Sequence, residues 1–360
     1  MVLNVAVVGV PFPQGIGMMH ANAYVNDPLA KLAAVCDIVE ERADNAAQKL
    51  GVRPYYSVLD LLEKELDLDI VDVCTGGNEN GSLHYEPTMQ ALEAGKHVLV
   101  EKPLSNDINE AREMVAKARQ KNAYLGCNLN HYFTPPAERA RKYLDDGEVG
   151  ELIYCLHKMG FQGGERTYSG PSTSPRVKGF PYFHVKAFLT HPFSVMRYFC
   201  GDITHVQAFL GRPSFRKRAG DVMVSVNSIH VRFVNDCVGY LLSTRGDTTM
   251  GLGGWWSFEL GGTLGSFCIE NCIEKVTYWQ APKPGGPQPE PVITSSGITD
   301  FNQTFPRRIH AFLEDVTNNV PKESLRASGR DALAALEYTW AAIESYEQGG
   351  ILVRPHPLPL

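Results

Sequence analysis

The sequence predicts an α/β protein in two parts. A doubly wound parallel sheet comes first, and an α+β domain on a large antiparallel sheet follows. Three observations carry this. Up to about residue 130, short apolar runs rich in β-branched residues alternate with amphipathic helical stretches. The first run ends in a glycine turn that opens directly into a helix. From about residue 150 the pattern changes to longer alternating runs joined by short turns, as antiparallel strands require. A chain of 360 residues also exceeds what one core usually serves, so the expected domains are 1–130 and 131–360.

In the first part, Val2–Val8 reads as a strand covered on both faces, and Gly9 ends it. The segment to Gly15-Ile16-Gly17 opens a helix. Strand, glycine turn and helix start make a phosphate-binding unit, because glycines admit the backbone and the helix N-terminus attracts an anion. About three extra residues lie between Gly9 and Gly17, so the G-x-G-x-x-G spacing is not intact. The next strand, Lys31–Cys36, ends in Asp37, 20 residues after Gly17. A carboxylate at that distance reads as the partner of an adenosine ribose diol. Ile38 rather than Ser or Arg follows it, which favours NAD over NADP. N-capping of the next helix is the other reading of Asp37.

Helices at Val39–Leu50 and Ser57–Leu66, a strand at Ile70–Thr75, a helix between Glu86-Pro87 and Gly95, a strand at His97–Val100, a helix at Asn106–Gln120 and a strand at Ala123–Asn128 continue the alternation. The whole reads as a doubly wound parallel sheet of short strands, and the helix Pro135–Asp146 leads out of it. Lys102 stands just past the carboxyl end of a buried strand, where open α/β sheets bind ligands, and Pro103 fixes the turn behind it. In the second part, strands are expected at Glu151–Met159, Ile203–Leu210, Val222–Val234, Val238–Thr244, Thr263–Glu270 and Lys275–Gln280. Ala281–Glu290 is a Pro/Gly-rich loop. Helices at Phe301–Asn319 and Ser328–Gln348 close the chain, and the second is expected to pack on the first domain.

Bulk composition narrows the function. Net charge −6 gives no reason to propose nucleic acid or a membrane as partner. Met1–Val10 has no basic n-region and no cleavage site, so it is a first strand and not a signal peptide. No apolar run approaches the ~18 residues of a membrane span. The eight cysteines are scattered through strand and helix patterns, as free buried thiols are in a reducing compartment, and a cytoplasmic location is expected. Cys268 and Cys272 lack a second Cys/His pair, so no metal is expected there.

Certain pieces stand together: Gly15-Ile16-Gly17-x-x-His20, Ala34-Val35-Cys36-Asp37, Val73-Cys74-Thr75, and Ala94-Gly95-Lys96-His97-Val98 running on to Glu101-Lys102-Pro103. Gly147-x-Val149-Gly150-Glu151, His191 and Asp331-Ala332-Leu333 follow. On these residues the chain resembles the glucose–fructose oxidoreductase/inositol dehydrogenase/MocA-like (Gfo/Idh/MocA) family of NAD(P)-dependent dehydrogenases, along essentially its whole length. The resemblance implies a Rossmann domain, an open-faced C-terminal sheet and a homodimer or homotetramer formed through that sheet. It implies cofactor contacts at Gly9, Gly15, Ile16, Gly17, Asp37, Thr75, Gly76, Glu101 and Lys102. Lys102 and His191 match its catalytic lysine and histidine. Its aspartate, four residues before the histidine, is Ala187 here, and its arginine after Asn is replaced at Asn130-His131.

One feature is local to this chain. Between Leu152 and Gly201 Glu165 is the only acid, against Lys158, Arg166, Arg176, Lys178, Lys186 and Arg197 and three histidines. His184 and Lys186 lie with His191 on a short aromatic segment. With His131 and Arg166 they are expected to bind a carbohydrate-like, anionic or richly hydroxylated substrate; solvated loop charge is the other reading. Trp255-Trp256 either line a sugar site or pack under the sheet. The first functional reading is NAD-dependent oxidation of a secondary hydroxyl in a sugar, polyol or sugar acid. The second is redox-neutral glycoside cleavage or elimination through transient oxidation. The third is a non-catalytic nucleotide-sensing protein on the same fold.

Overall fold

The computed structural model describes residues 2–77, 79–160, 179–218, 220–245 and 254–358. Contacts divide them into two units, 1–130 with 303–333, and 131–302 with 334–357.

The first unit holds the expected parallel sheet. Its strands are β1 (Leu3–Val8), β2 (Ala30–Cys36), β3 (Arg53–Tyr55), β4 (Ile70–Val73), β5 (His97–Val100) and β6 (Leu125–Cys127), in the order β3-β2-β1-β4-β5-β6. The pattern alone places five of them. β3 carries Pro54 and is only three residues long, so it has no apolar run to read. Between the strands run α1 (Ile16–Val25), α2 (Glu40–Leu50), α3 (Val58–Lys64), α4 (Tyr85–Glu93) and α5 (Ile108–Gln120). Their ends follow local chemistry. Ser57 caps α3 by accepting the Asp60 N–H, Asp107 caps α5, and Gly51 closes α2 in the left-handed region at φ 68°. Strand order reverses between β1 and β4, which makes the carboxyl ends of these two strands the place for a ligand.

Helix α10 (Thr304–Thr317) completes this unit. Its Ile309, Phe312, Leu313 and Val316 join Met18, Ala21 and Tyr24 of α1 and Val5 and Val7 of β1 in one core. A Cβ on Gly126 would lie 2.9 Å from the Phe312 ring, so glycine lets β6 approach α10 closely.

The second unit is an eight-stranded sheet of β7 (Leu152–Gly160), β8 (Ile203–Gly211), β9 (Val226–Phe233), β10 (Val238–Thr244), β11 (Trp256–Gly262), β12 (Gly265–Glu270), β13 (Lys275–Gln280) and β14 (Val292–Ser295). The order is β14-β13-β12-β11-β7-β10-β9-β8. It is mostly antiparallel, as expected, but β7 and β10 run parallel. The connecting helices are α6 (Pro135–Asp145), α7 (Phe183–Phe188), α8 (Thr190–Cys200), α9 (Ser214–Arg218) and α11 (Gly329–Glu347). Phe199 of α8 stacks on Phe258 of β11 with ring centres 4.9 Å apart, burying one face of the sheet.

Helix α10 belongs to the first unit, and α11 lies in the second unit from Ala334 onward. The reason is on α11 itself: the Tyr338 hydroxyl accepts the Ile203 N–H, and Ser345 accepts the Ala208 N–H, which tie its face to β8.

Candidate active site

In the first unit the site begins where β1, β4 and α1 meet. A Cβ on Gly17 would lie 1.9 Å from the Gly9 carbonyl oxygen, and one on Gly9 would lie 2.8 Å from the Thr75 backbone nitrogen. Gly9 also sits at φ 87°, which disfavours any other residue. Backbone thus lies on backbone, and the extra residues of the turn fold back on themselves, with Pro11 under Gly15. The N-cap of α1 is Gly15, without a side-chain cap and without an acid in the first turn. Its leading N–H groups therefore keep their partial positive charge for an anion. Ile16 is 40% exposed at this end, and nothing stands within 4 Å of the Cβ direction of Gly76.

Asp37 ends β2 and is buried. Its Oδ2 accepts the Val10 N–H at 3.0 Å and its Oδ1 accepts the Val39 N–H at 3.0 Å. The carboxylate braces the glycine turn and the segment leading into α2, whose N-cap is Val39 without a side-chain cap. Each oxygen retains a further lone pair. The Thr75 hydroxyl donates to the Leu83 carbonyl at 2.6 Å, and its backbone lies against the glycine turn.

Lys102 is half-buried just past β5 and is held from both sides. Its backbone N–H donates to Glu101 Oε2 at 3.1 Å. Behind it, His84 Nδ1 donates to the Pro103 carbonyl at 2.7 Å. Burial lowers the His84 pKa, so its ring is neutral and carries the proton on Nδ1.

Beneath lies a buried polar network. His20 Nδ1 is 2.8 Å from Asp72 Oδ2, and His20 Nε2 is 3.1 Å from Glu101 Oε1. The Asn128 amide also donates to Glu101 Oε1. Burial opposes a charge on His20, but the Asp72 carboxylate outweighs it and raises the His20 pKa well above the ordinary histidine value. Burial likewise opposes ionisation of Glu101, yet the bonds to His20 and the charge of Lys102 leave its carboxyl below the usual range. The arrangement is an imidazolium between two carboxylates, which only paired charges make tolerable in a buried place. Among the described residues, His20, Asp72 and Cys74 have ligand atoms within 4.8 Å of one another. Burial and Asp72 push the Cys74 thiol up and His20 is already bonded to Asp72, so the trio belongs to this ion pair.

The second unit has its own cluster. The rings of His131 and His191 stack at 3.7 Å and 4°. Both are buried, His131 in the turn before α6 and His191 in the first turn of α8. The Trp256 Nε1–H donates to His131 Nδ1 at 3.1 Å. The edge-on rings of Trp255 and Phe301 stand 6.4 and 5.5 Å from His131. Trp256 is fully buried in β11, so it packs under the sheet, while Trp255 borders the histidine pair. His157 lies 4.7 Å from Trp256, and burial holds its pKa at about 3.

Two other expected substrate residues, His184 and Lys186, lie on α7 of the same unit. His184 Nε2 is 3.3 Å from Ser243 Oγ, and Lys186 Nζ lies 4.8 Å over the Trp340 ring. Ala187 is fully buried in α7, a packing position. Arg166, Arg176 and Lys178 lie outside the described residues. Sequence reasoning did not assign roles to Asp72, Asn128 and His20. A signal existed, since an aspartate inside the buried strand Ile70-Val71-Asp72-Val73 needs a partner.

The comparisons agree with this geometry. Residues 3–129 match the family model described as "Oxidoreductase family, NAD-binding Rossmann fold". Levoglucosan dehydrogenase of Pseudarthrobacter phenanthrenivorans is 26% identical over 298 residues, 73% of this chain and 72% of the relative. Inositol 2-dehydrogenase of Rhizobium meliloti is 25% identical over 340 residues, 92% of this chain and 93% of the relative. Among solved structures, a levoglucosan dehydrogenase complex with NADH aligns at TM-score 0.84 and 22% identity, over 99% of this chain and 100% of that one. An NAD-binding oxidoreductase of Klebsiella pneumoniae aligns at TM-score 0.84 and 20% identity, over 99% and 100%. The fold is thus shared along the chain, and its first unit matches the Gfo/Idh/MocA family model of NAD-binding oxidoreductases.

Proposed function

We propose that this protein is an NAD-dependent dehydrogenase that moves a hydride between a secondary hydroxyl of a sugar, polyol or sugar acid and the nicotinamide. The observation that carries it is the cradle at the switch point: Gly17 against the Gly9 carbonyl, an uncapped α1 N-terminus and Asp37 at the end of β2. These features fit a dinucleotide. The α1 N–H groups would take the pyrophosphate, Asp37 the ribose diol, and Thr75, Gly76 and Glu101-Lys102 the nicotinamide side. Asp37 would repel a 2′-phosphate, which favours NAD over NADP. Bound NAD supplies the two-electron hydride acceptor.

The chain's own residues then handle the proton. We assign Lys102 to hold the reacting hydroxyl through its ammonium group, since its backbone is fixed by Glu101 and by the His84–Pro103 bond. We assign His191 as the base, because an imidazole titrates nearest neutrality. The relatives named for levoglucosan, inositol and D-glucoside oxidation support a cyclic polyol as substrate. Net formation of NADH with inositols, 1,5-anhydro sugars and their acids, lost in Lys102→Met, tests the reading.

The stacked His131–His191 pair favours a second reading, because an imidazole beside the base can hydrogen-bond a departing oxygen. In it, transient oxidation permits cleavage or elimination of a neighbouring C–O bond, and the hydride returns. NADH formed in proportion to product excludes it.

No helix among the described residues is long and apolar enough to cross a membrane, and the eight cysteines are free, which supports a cytoplasmic protein. Leu156, Phe209 and Val238 are exposed on one face of the eight-stranded sheet, which supports a homodimer or homotetramer through it. Light scattering on the purified protein decides the number of copies.

A further inference from the structure

The hydrogen bond from Trp256 to His131 fixes more than a position. An indole nitrogen can only donate, so His131 Nδ1 must accept and carries no proton. The ring is then neutral, and its one proton sits on Nε2. His157, whose ring centre lies 4.7 Å from that of Trp256, is held neutral by burial, with a pKa of about 3. His191 lies flat against the same ring at 3.7 Å. A proton arriving at the pair cannot enter His131 Nδ1 without breaking the Trp256 bond, so it goes to His191.

We propose that the two stacked histidines divide their work: His131 is a permanently neutral Nε2–H donor toward a substrate oxygen, His191 alone exchanges the proton, and Trp256 is the positioning residue that enforces the division. This rests on the dehydrogenase reading and deepens it. The Trp256 anchor is itself firm, being fully buried in β11 with the His131 and His157 rings 6.1 and 4.7 Å away.

The test uses the full chain with isotope-labelled histidine, loaded with NAD+, and long-range proton–nitrogen correlations to read each ring. His131 is expected as a neutral ring protonated on Nε2 at neutral pH. In Trp256→Phe it is expected to become a mixture of tautomers and to gain a second proton on acidification. A wild-type His131 that is an imidazolium, or is protonated on Nδ1, overturns the proposal. Kinetics on inositols and 1,5-anhydro sugars supply a second reading. His131→Gln, which keeps a neutral N–H donor, is expected to stay within about tenfold of wild-type kcat. His131→Phe, which keeps a flat ring against His191, is expected to lose about 100-fold, the usual scale for a lost donor. Equal losses in the two variants sink the donor role. If Trp256→Phe does not fold, the wild-type spectrum and the His131 pair still decide. A wild-type protein that oxidises none of these compounds refutes the dehydrogenase reading, and the spectrum then judges the His131 assignment by itself.

Discussion

His20 Nδ1 lies 2.8 Å from Asp72 Oδ2, and both side chains are completely buried. The pair ties α1 to β4, and through Nε2 it reaches Glu101, whose other oxygen holds the Lys102 backbone. The residue proposed to hold the substrate hydroxyl is therefore braced by a charge network that has no direct reason to touch substrate.

Removing His20 leaves two carboxylates facing each other without a cation between them. His20→Leu is expected to cost about 3–5 kcal/mol in urea unfolding, the scale for breaking a buried pair from one side. The pH dependence follows from the raised His20 pKa. Its contribution is complete below the unfolded histidine value of about 6.5 and is lost as pH rises through the higher folded value. Unfolding followed from neutral to alkaline pH should show this decline in wild type and not in His20→Leu. An identical slope in both would refute the charged pair.

His157 carries the opposite sign. Its pKa is lowered to about 3 by burial, so the unfolded chain takes up a proton that the native one refuses. Its share of stability is present above about 6.5 and is lost as pH falls, at up to about 1.4 kcal/mol per unit. His157→Gln should flatten the acid limb of the stability curve. An unchanged limb would mean that His157 is protonated in the native state.

Gly17 and Gly76 separate fold from ligand. A Cβ at Gly17 meets the Gly9 carbonyl at 1.9 Å, whereas one at Gly76 meets nothing within 4 Å. Gly17→Ala is expected to cost about 1–3 kcal/mol or more and to weaken NAD+ binding with it. Gly76→Ala should melt with wild type but bind NAD+ several-fold more weakly by calorimetry. Wild-type affinity in Gly76→Ala would remove Gly76 from the cofactor site.

Asp37→Ser strips one acceptor from a buried N–H at Val10 or from Val39. A cost of about 1–3 kcal/mol is expected, together with a fall in the preference for NAD+ over NADP+. A variant that keeps the full preference would leave Asp37 with the loop-bracing role alone.

Lys102→Met should lower kcat by about 100- to 10,000-fold, with NAD+ affinity held within a few-fold. A parallel loss of NAD+ affinity would move Lys102 from the reacting hydroxyl to the cofactor.

By itself the sequence determined the parallel sheet, the glycine turn, Asp37 and the place of Lys102, because each depends on residues close in the chain. Apolar runs of strand length, a glycine that stops a helix and a lysine followed by proline express their physics locally. Short β3, with its Pro54, escaped that reading, as did β11, which falls within a glycine-rich stretch. Tertiary structure decided the rest. Only folding joins His20 to Asp72 and Glu101, 52 and 81 residues away. Only folding lays His131 on His191 and sets Trp256, 125 residues distant, to donate to its ring. It also gave α10 to the first unit and most of α11 to the second. Burial and long-range hydrogen bonds fix which groups carry charge and which ring nitrogen holds a proton, and no run of neighbouring residues encodes them.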